Sequence, residues 1–171
     1  MSEALVYPIE LDAAGIYALL PHRGEMQLVR SLTVLDHDHF QARACWPADS
    51  AVLRGHFPGL PLVPGVMLVE LVAQVAGAGM RAGSPVARRL EGEYVGLLAG
   101  IRKCSFKRPV LPGEVVQVDL RTRPMSETAA VASAQLTVAG AEAAQVEILV
   151  INTPRAVLDE ALAATRDSAA A

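Results

Sequence analysis

Glu70 is the only acidic side chain between Ala51 and Leu90, and it sits inside the most apolar stretch of the chain. Burying a lone carboxylate costs on the order of several kcal/mol unless it is paired, protonated or put to use. Gln74 stands one helical turn on, at i+4, where its amide can orient the carboxyl group. Burial raises a carboxyl pKa, which suits a general acid near neutral pH. His56 precedes Glu70 by fourteen residues, on a segment punctuated by Pro58, Pro61 and Pro64. A neutral imidazole there is a candidate base, although a lone loop histidine also serves surface or hydrogen-bonding roles. Pro64-Gly65 opens the following helix without a Ser, Thr, Asp or Asn cap, so its first N–H groups are free to hold a polarised carbonyl oxygen. Gly65 lets such a group approach closely, though glycine is also an acceptable cap in its own right.

The elements that must position these residues follow from periodicity. Leu11–Leu20 reads as a short helix stopped by Pro21, and Met26–Leu35 and Phe40–Trp46 read as strands around an Asp36–His39 turn. The proline-spaced segment Asp49–Gly65 is predicted to be an extended loop. From Gly65 the chain is apolar on almost every helical face, the pattern of a buried helix. A turn at Arg88–Glu93 precedes four predicted strands: Tyr94–Phe106, Val115–Arg123, Ala129–Val138 and Ala143–Ile151. One sheet wrapped around one buried helix satisfies this order, an α+β domain over residues 1–151. Residues 152–171 form a C-terminal extension that either docks as a helix or frays.

Composition sets the wider bounds. The chain has 171 residues, 52% hydrophobic and 19% charged, which is enough apolar material for one packed core and argues against disorder. Cys45 and Cys104 are far apart, so neither a disulfide framework nor a zinc module is expected. The first fifteen residues carry three acids and no base, unlike a signal or transit peptide, and the apolar stretch is interrupted by polar residues; a soluble, cytoplasmic protein is expected. Seven bases oppose two acids between Arg81 and Arg108, a segment of +5, leaving −8 for the rest of a chain with net charge −3. Either this segment is a solvated edge or it faces an anionic partner smaller than nucleic acid. His37 and His39, with Asp36 and Asp38, fill a solvated turn, so no metal is expected, and His22 is placed against the carbonyl end of the first helix. No Gly-x-Ser-x-Gly, P-loop or Gly-x-Gly-x-x-Gly motif occurs.

Leu19–Arg23, the run Gly55-His56-Phe57-Pro58-Gly59 continuing through Val66, Glu70 with Gln74, and Phe106–Gly113 closely resemble the FabZ-type 3-hydroxyacyl-[acyl-carrier-protein] dehydratases. FabA-type relatives carry Asp at the position of Glu70. The resemblance implies the hot-dog fold, an antiparallel sheet around a central helix, with protomers paired as a homodimer and often as three dimers. It implies a site shared between chains, the histidine from one and the acid from the other. His56 would take the C2 proton, the Gly65 N–H would polarise the thioester carbonyl, and Glu70, oriented by Gln74, would protonate the departing C3 hydroxyl. The substrate would ride on the phosphopantetheine of an acidic acyl carrier protein docked by Lys107 and Arg108 with Arg102 and Lys103; no further cofactor, nucleic acid or membrane is implied. Asp49–Leu53, Arg30, and Leu97 with Leu98 in place of the usual aromatic gating residues depart from the family pattern. A specialised polyene or polyketide dehydratase, a hot-dog thioesterase and a non-catalytic carrier-binding subunit are the alternatives.

Overall fold

The computed structural model describes residues 5–90 and 92–169. The first four residues, Glu91 of the 88–93 turn and the last two residues of the tail lie outside them. The elements run β1 (Ile9–Asp12), α1 (Ala13–Leu19), β2 (Val29–Asp36), β3 (His39–Ala44), α2 (Ala51–His56), α3 (Gly65–Gly83), α4 (Pro85–Arg89), β4 (Tyr94–Phe106), β5 (Val116–Pro124), β6 (Ala129–Val138), β7 (Ala141–Pro154) and α5 (Arg155–Ala169), with a 3-10 turn at Gly24–Met26.

Seven strands form one sheet in the order β1-β2-β3-β5-β6-β7-β4, with every neighbouring pair antiparallel. The strands alternate as a half-buried sheet requires. In β5, Val116, Val118 and Leu120 point inward while Gln117, Asp119 and Arg121 face out. The inward face curls around α3, where Leu68, Leu71, Val72, Val75, Ala76 and Ala78 are at most 2% exposed. By length and composition α3 would also suit a membrane span, but here it is the core helix of the sheet. The α+β architecture, with its sheet wrapped around one long helix, is the expected one.

Several elements differ from the sequence reading. Leu11 and Asp12 end an edge strand that pairs with β2, and the helix begins only at Ala13. Asp12 caps it, accepting a hydrogen bond from the Gly15 N–H at 2.8 Å. The segment Asp49–Gly65 contains the helical turn α2, because all three of its prolines lie beyond His56. Ser84-Pro85 starts α4, with the Ser84 hydroxyl capping the Ala87 N–H and proline at the first helical position. The last strand continues past Ile151 to Pro154, held by pairing with β4, and the tail that follows is helical.

Two glycines of α3 exist because the sheet comes so close. A Cβ on Gly79 would lie 2.4 Å from the fully buried ring of Phe40. Replacing a helical glycine with alanine ordinarily stabilises by about 1 kcal/mol, whereas overpacking a core costs about 1–3 kcal/mol. Steric overlap is expected to win: Gly79→Ala should lower the melting temperature by several degrees, on the scale of roughly 2–8 °C for a 1 kcal/mol loss in domains of this size range. A melting temperature equal to or above that of the parent would show that Phe40 yields without cost.

Candidate active site

Gln74 is 1% exposed and makes four hydrogen bonds. Its Nε2 donates to the Met26 carbonyl at 2.8 Å and to Glu70 Oε1 at 2.9 Å. Its Oε1 accepts from the Leu28 N–H at 3.3 Å and from the Tyr17 hydroxyl at 3.4 Å. The amide has only one orientation that fits, since a backbone N–H can only donate and a backbone carbonyl can only accept. Tyr17 in turn accepts from the Val29 N–H at 2.8 Å. Burial pushes the Tyr17 phenol up, more than the Val29 contact and the nearby Arg30 charge pull it down, so it keeps its proton for Gln74.

Glu70 is thus oriented from its own helix, and a second group meets the same oxygen. His22 Nε2 lies 3.2 Å from Glu70 Oε1, with the carboxyl side chain 27% exposed. His22 Nδ1 is buried without a hydrogen-bond partner among the described residues. A proton there would be an unsatisfied buried donor, so the favoured tautomer carries it on Nε2, the atom that faces the Glu70 carboxyl group. His22 therefore does not rest on the carbonyl end of α1. Arg23 reaches the C-cap of α1 instead, its guanidinium donating to the Leu20 carbonyl at 2.8 Å, and also to the His22 carbonyl at 2.7 Å.

The carboxyl group opens on a cavity of about 630 Å³ that runs along one face of α3, past Ala73, Gly77 and Met80, and is closed by β4 and β7. His56 does not line it. His56 ends α2 on an exposed segment, its ring 4.2 Å from that of Phe57. Its Nδ1 is 3.1 Å from the Leu62 carbonyl, which can only accept; the proton is therefore on Nδ1, and Nε2 keeps its lone pair. Within one chain Glu70 is hydrogen-bonded to Gln74 and faces His22, and His56 is bonded to Leu62.

Gly65 starts α3 behind Pro64 with no side-chain cap. The ring tip of Phe106, itself half-exposed, lies 2.7 Å from where a Cβ on Gly65 would sit, so a side chain here would displace that ring. A second cavity of about 370 Å³ lies alongside, bounded by Gly65, Leu68 and Phe106–Val110. Of the basic residues flanking it, Arg108 is drawn into its own turn, 2.6 Å from Glu114. The Leu111 N–H and then Arg108 hold the Glu114 carboxyl below its usual range. Arg102 pairs with Glu147 at 3.5 Å, whereas Lys103 and Lys107 are exposed and have no ion pair among the described residues. At the β2–β3 turn, Asp36 and His37 pair with each other at 2.8 Å, and His39 with Asp119 at 3.1 Å.

Tyr17 and His22 are the members of this network that sequence reasoning missed. His22 stands 48 positions from Glu70 and Tyr17 stands 57 from Gln74, so no local spacing could flag either. The helix–sheet geometry alone brings them together.

A sheet closed around one helix, with an acid and an amide on that helix facing an acyl-sized cavity, defines a hot-dog protein. Among solved structures, the dehydratase heterocomplex ApeI:P from Xenorhabdus doucetiae superposes with a TM-score of 0.70 at 18% identity, covering 89% of this chain and 97% of that one. A mutant thioesterase from Pseudomonas aeruginosa superposes with a TM-score of 0.53 at 18% identity, covering 74% and 81%. In sequence, the 3-hydroxyacyl-[acyl-carrier-protein] dehydratase FabZ of Halorhodospira halophila is 36% identical over 138 residues, 80% of this chain and 89% of that protein. The FabZ of Bacillus pumilus is 34% identical over 139 residues, 81% and 93% of the two chains. The ApeI-like family, described as ApeI dehydratase, matches residues 33–143. The chain belongs to this dehydratase family, within the hot-dog fold it shares with the thioesterase.

Gln74→Met keeps the volume and removes the amide. The Leu28 N–H and the Met26 carbonyl then lose their partner, at about 1–3 kcal/mol for each buried group left unmatched. Denaturant unfolding is expected to show a loss of about 2 kcal/mol or more. A loss below about 1 kcal/mol would mean that water substitutes for the amide.

Proposed function

We propose that the protein dehydrates 3-hydroxyacyl thioesters borne by an acyl carrier protein to trans-2-enoyl thioesters, as a soluble cytoplasmic enzyme. The observation that carries this reading is the asymmetry of the Glu70 carboxyl group. Oε1 accepts the Gln74 amide hydrogen bond and lies 3.2 Å from His22 Nε2, so when the group carries a proton Oε2 is the oxygen left to hold and deliver it. That proton goes to the C3 hydroxyl as the C3–O bond breaks and water leaves. His56 Nε2 takes the C2 proton, so the protein's proton count is unchanged. The free N–H end of α3 at Gly65 polarises the thioester carbonyl while charge builds on its oxygen. The chemistry requires a base, an acid and a donor, and no cofactor beyond the phosphopantetheine that carries the substrate.

The base and acid belong to different copies. β4 is an edge strand of thirteen residues whose outer side has no partner strand among the described residues, with Leu98, Ile101 and Phe106 exposed along it. Pairing two such edges continues the sheet across a homodimer, the unit of any trimer of dimers, and buries these side chains. Lys103 and Lys107 then supply the free cations for an acidic carrier, with Arg108 shaping the adjacent turn. A second reading, a dehydratase dedicated to one polyene or polyketide chain, is favoured by Leu97 and Leu98 lining the cavity where aromatic gating residues are usual.

The direct test incubates the protein with 3-hydroxyacyl carrier proteins of several chain lengths and follows the enoyl product by mass spectrometry. Enoyl product across several lengths supports the general reading, a single accepted chain supports the second, and free acid as main product refutes both. Glu70→Gln keeps the shape and removes the transferable proton, so turnover should fall about 10²–10⁴-fold with the melting temperature retained. Near-normal turnover in a folded Glu70→Gln protein would refute the assignment of the acid.

Sharing of the site is tested by refolding His56→Ala and Glu70→Ala together in equal amounts. Random pairing makes about half of the dimers mixed, each with one intact site of two, so roughly a quarter of the parental activity should return. A silent mixture, with mixed dimers confirmed by native mass spectrometry, would refute the shared site.

A further inference from the structure

The C-terminal helix α5 is only lightly packed on the domain. Between Arg155 and Arg166 every residue is exposed except Leu158, which is half-buried. Its start is nonetheless fixed: the Arg155 N–H donates to the Glu93 carbonyl at 2.9 Å, one residue before β4 begins, and Pro154 just ahead of it pairs with Tyr94. The helix therefore leaves the sheet at a set place, beside the cavity into which Glu70 opens. Leu158 and Leu162, spaced i and i+4 on one face, line that cavity, and Leu162 is 58% exposed.

The cavity has a direction. Glu70 and His22 stand at one end, and the α3 face through Ala73, Gly77 and Met80 leads away from them. At 1.5 Å per residue, the ten positions from Glu70 to Met80 span about 15 Å. A substrate whose C3 hydroxyl meets Glu70 has its thioester on one side and its alkyl chain on the other, and Ala73, Gly77, Met80, Leu158 and Leu162 give the alkyl chain apolar contacts along this path.

From this we infer that α5 is the far wall of the acyl site, and that Leu158 and Leu162 select for long acyl chains by covering their distal carbons. The inference rests on the dehydratase reading for the position of the reacting carbons. The occupant it assigns to the exposed leucine face is the alkyl chain of the substrate, because the face is continuous with the Glu70 cavity. Val157, 53% exposed on the same helix, does not line the cavity and gives the control.

The test is calorimetric titration of the full-length protein with S-dodecyl-pantetheine and S-butyl-pantetheine, thioethers that cannot react. The parent is expected to bind the dodecyl compound more tightly. Leu158→Ser with Leu162→Ser should weaken dodecyl binding about tenfold, the scale of uncovering one or two leucine-sized contacts. Leu158→Trp, which narrows the cavity instead, should also weaken dodecyl binding relative to butyl, and Val157→Ser should leave the ratio unchanged. Equal weakening of both ligands, no weakening of either, no length preference in the parent, or a changed oligomeric state in the leucine variants by native mass spectrometry would each overturn the inference. Binding is read without turnover, so a protein that discriminates the thioethers yet forms no enoyl product refutes the dehydration reading and leaves the wall in place.

Discussion

Burying a helix that is apolar on nearly every side obliges the rest of the chain to surround it. A flat sheet covers only one face, so seven antiparallel strands curl about α3, and their inward residues supply the contacts that a helix partner would supply elsewhere. Closeness is part of that constraint: Gly79 and Gly83 have no side chain because Phe40 and Val34 occupy the space. Polar groups on such a helix survive only where the enclosing elements bring them partners. That condition is met at Gln74 and Glu70 by α1 and by the segment leading into β2.

The resulting network explains how one carboxyl group acquires two unlike oxygens. A tyrosine and two backbone groups hold the Gln74 amide in one orientation, and the amide then holds Glu70 Oε1, with His22 Nε2 3.2 Å away. The carboxyl group lines the cavity. Positioning of this kind is durable because altering any member strands a buried donor or acceptor elsewhere. His56 is arranged on a different principle, from an exposed helical turn and through one carbonyl contact that selects its tautomer. A carboxyl group held in the core and an imidazole on a surface turn are groups that a second chain could bring together.

The fold is common to enzymes of different chemistry, as the thioesterase neighbour shows, so the dehydratase assignment depends on the family match and on these side chains rather than on the sheet. The basic segment is also less free than its charge count suggests. Arg102 and Arg108 pair with Glu147 and Glu114, and Lys103 and Lys107 have no ion pair among the described residues.

Much was decided by the sequence alone. The all-round apolarity after Gly65, the alternation of the strands and the isolation of Glu70 with Gln74 at i+4 are local or periodic signals, and they suffice for the α+β class, the central helix and the candidate acid. β1, α2 and the true start of α1 were not legible, because a four-residue edge strand takes its identity from its neighbour and a single helical turn carries no period. Tertiary structure alone placed Tyr17 and His22 beside residues about fifty positions away, sent Arg108 to Glu114, and set α5 against the cavity. These are contacts across the fold between groups with nothing in common along the chain, and they exist only because wrapping the sheet around α3 fixes which segments meet.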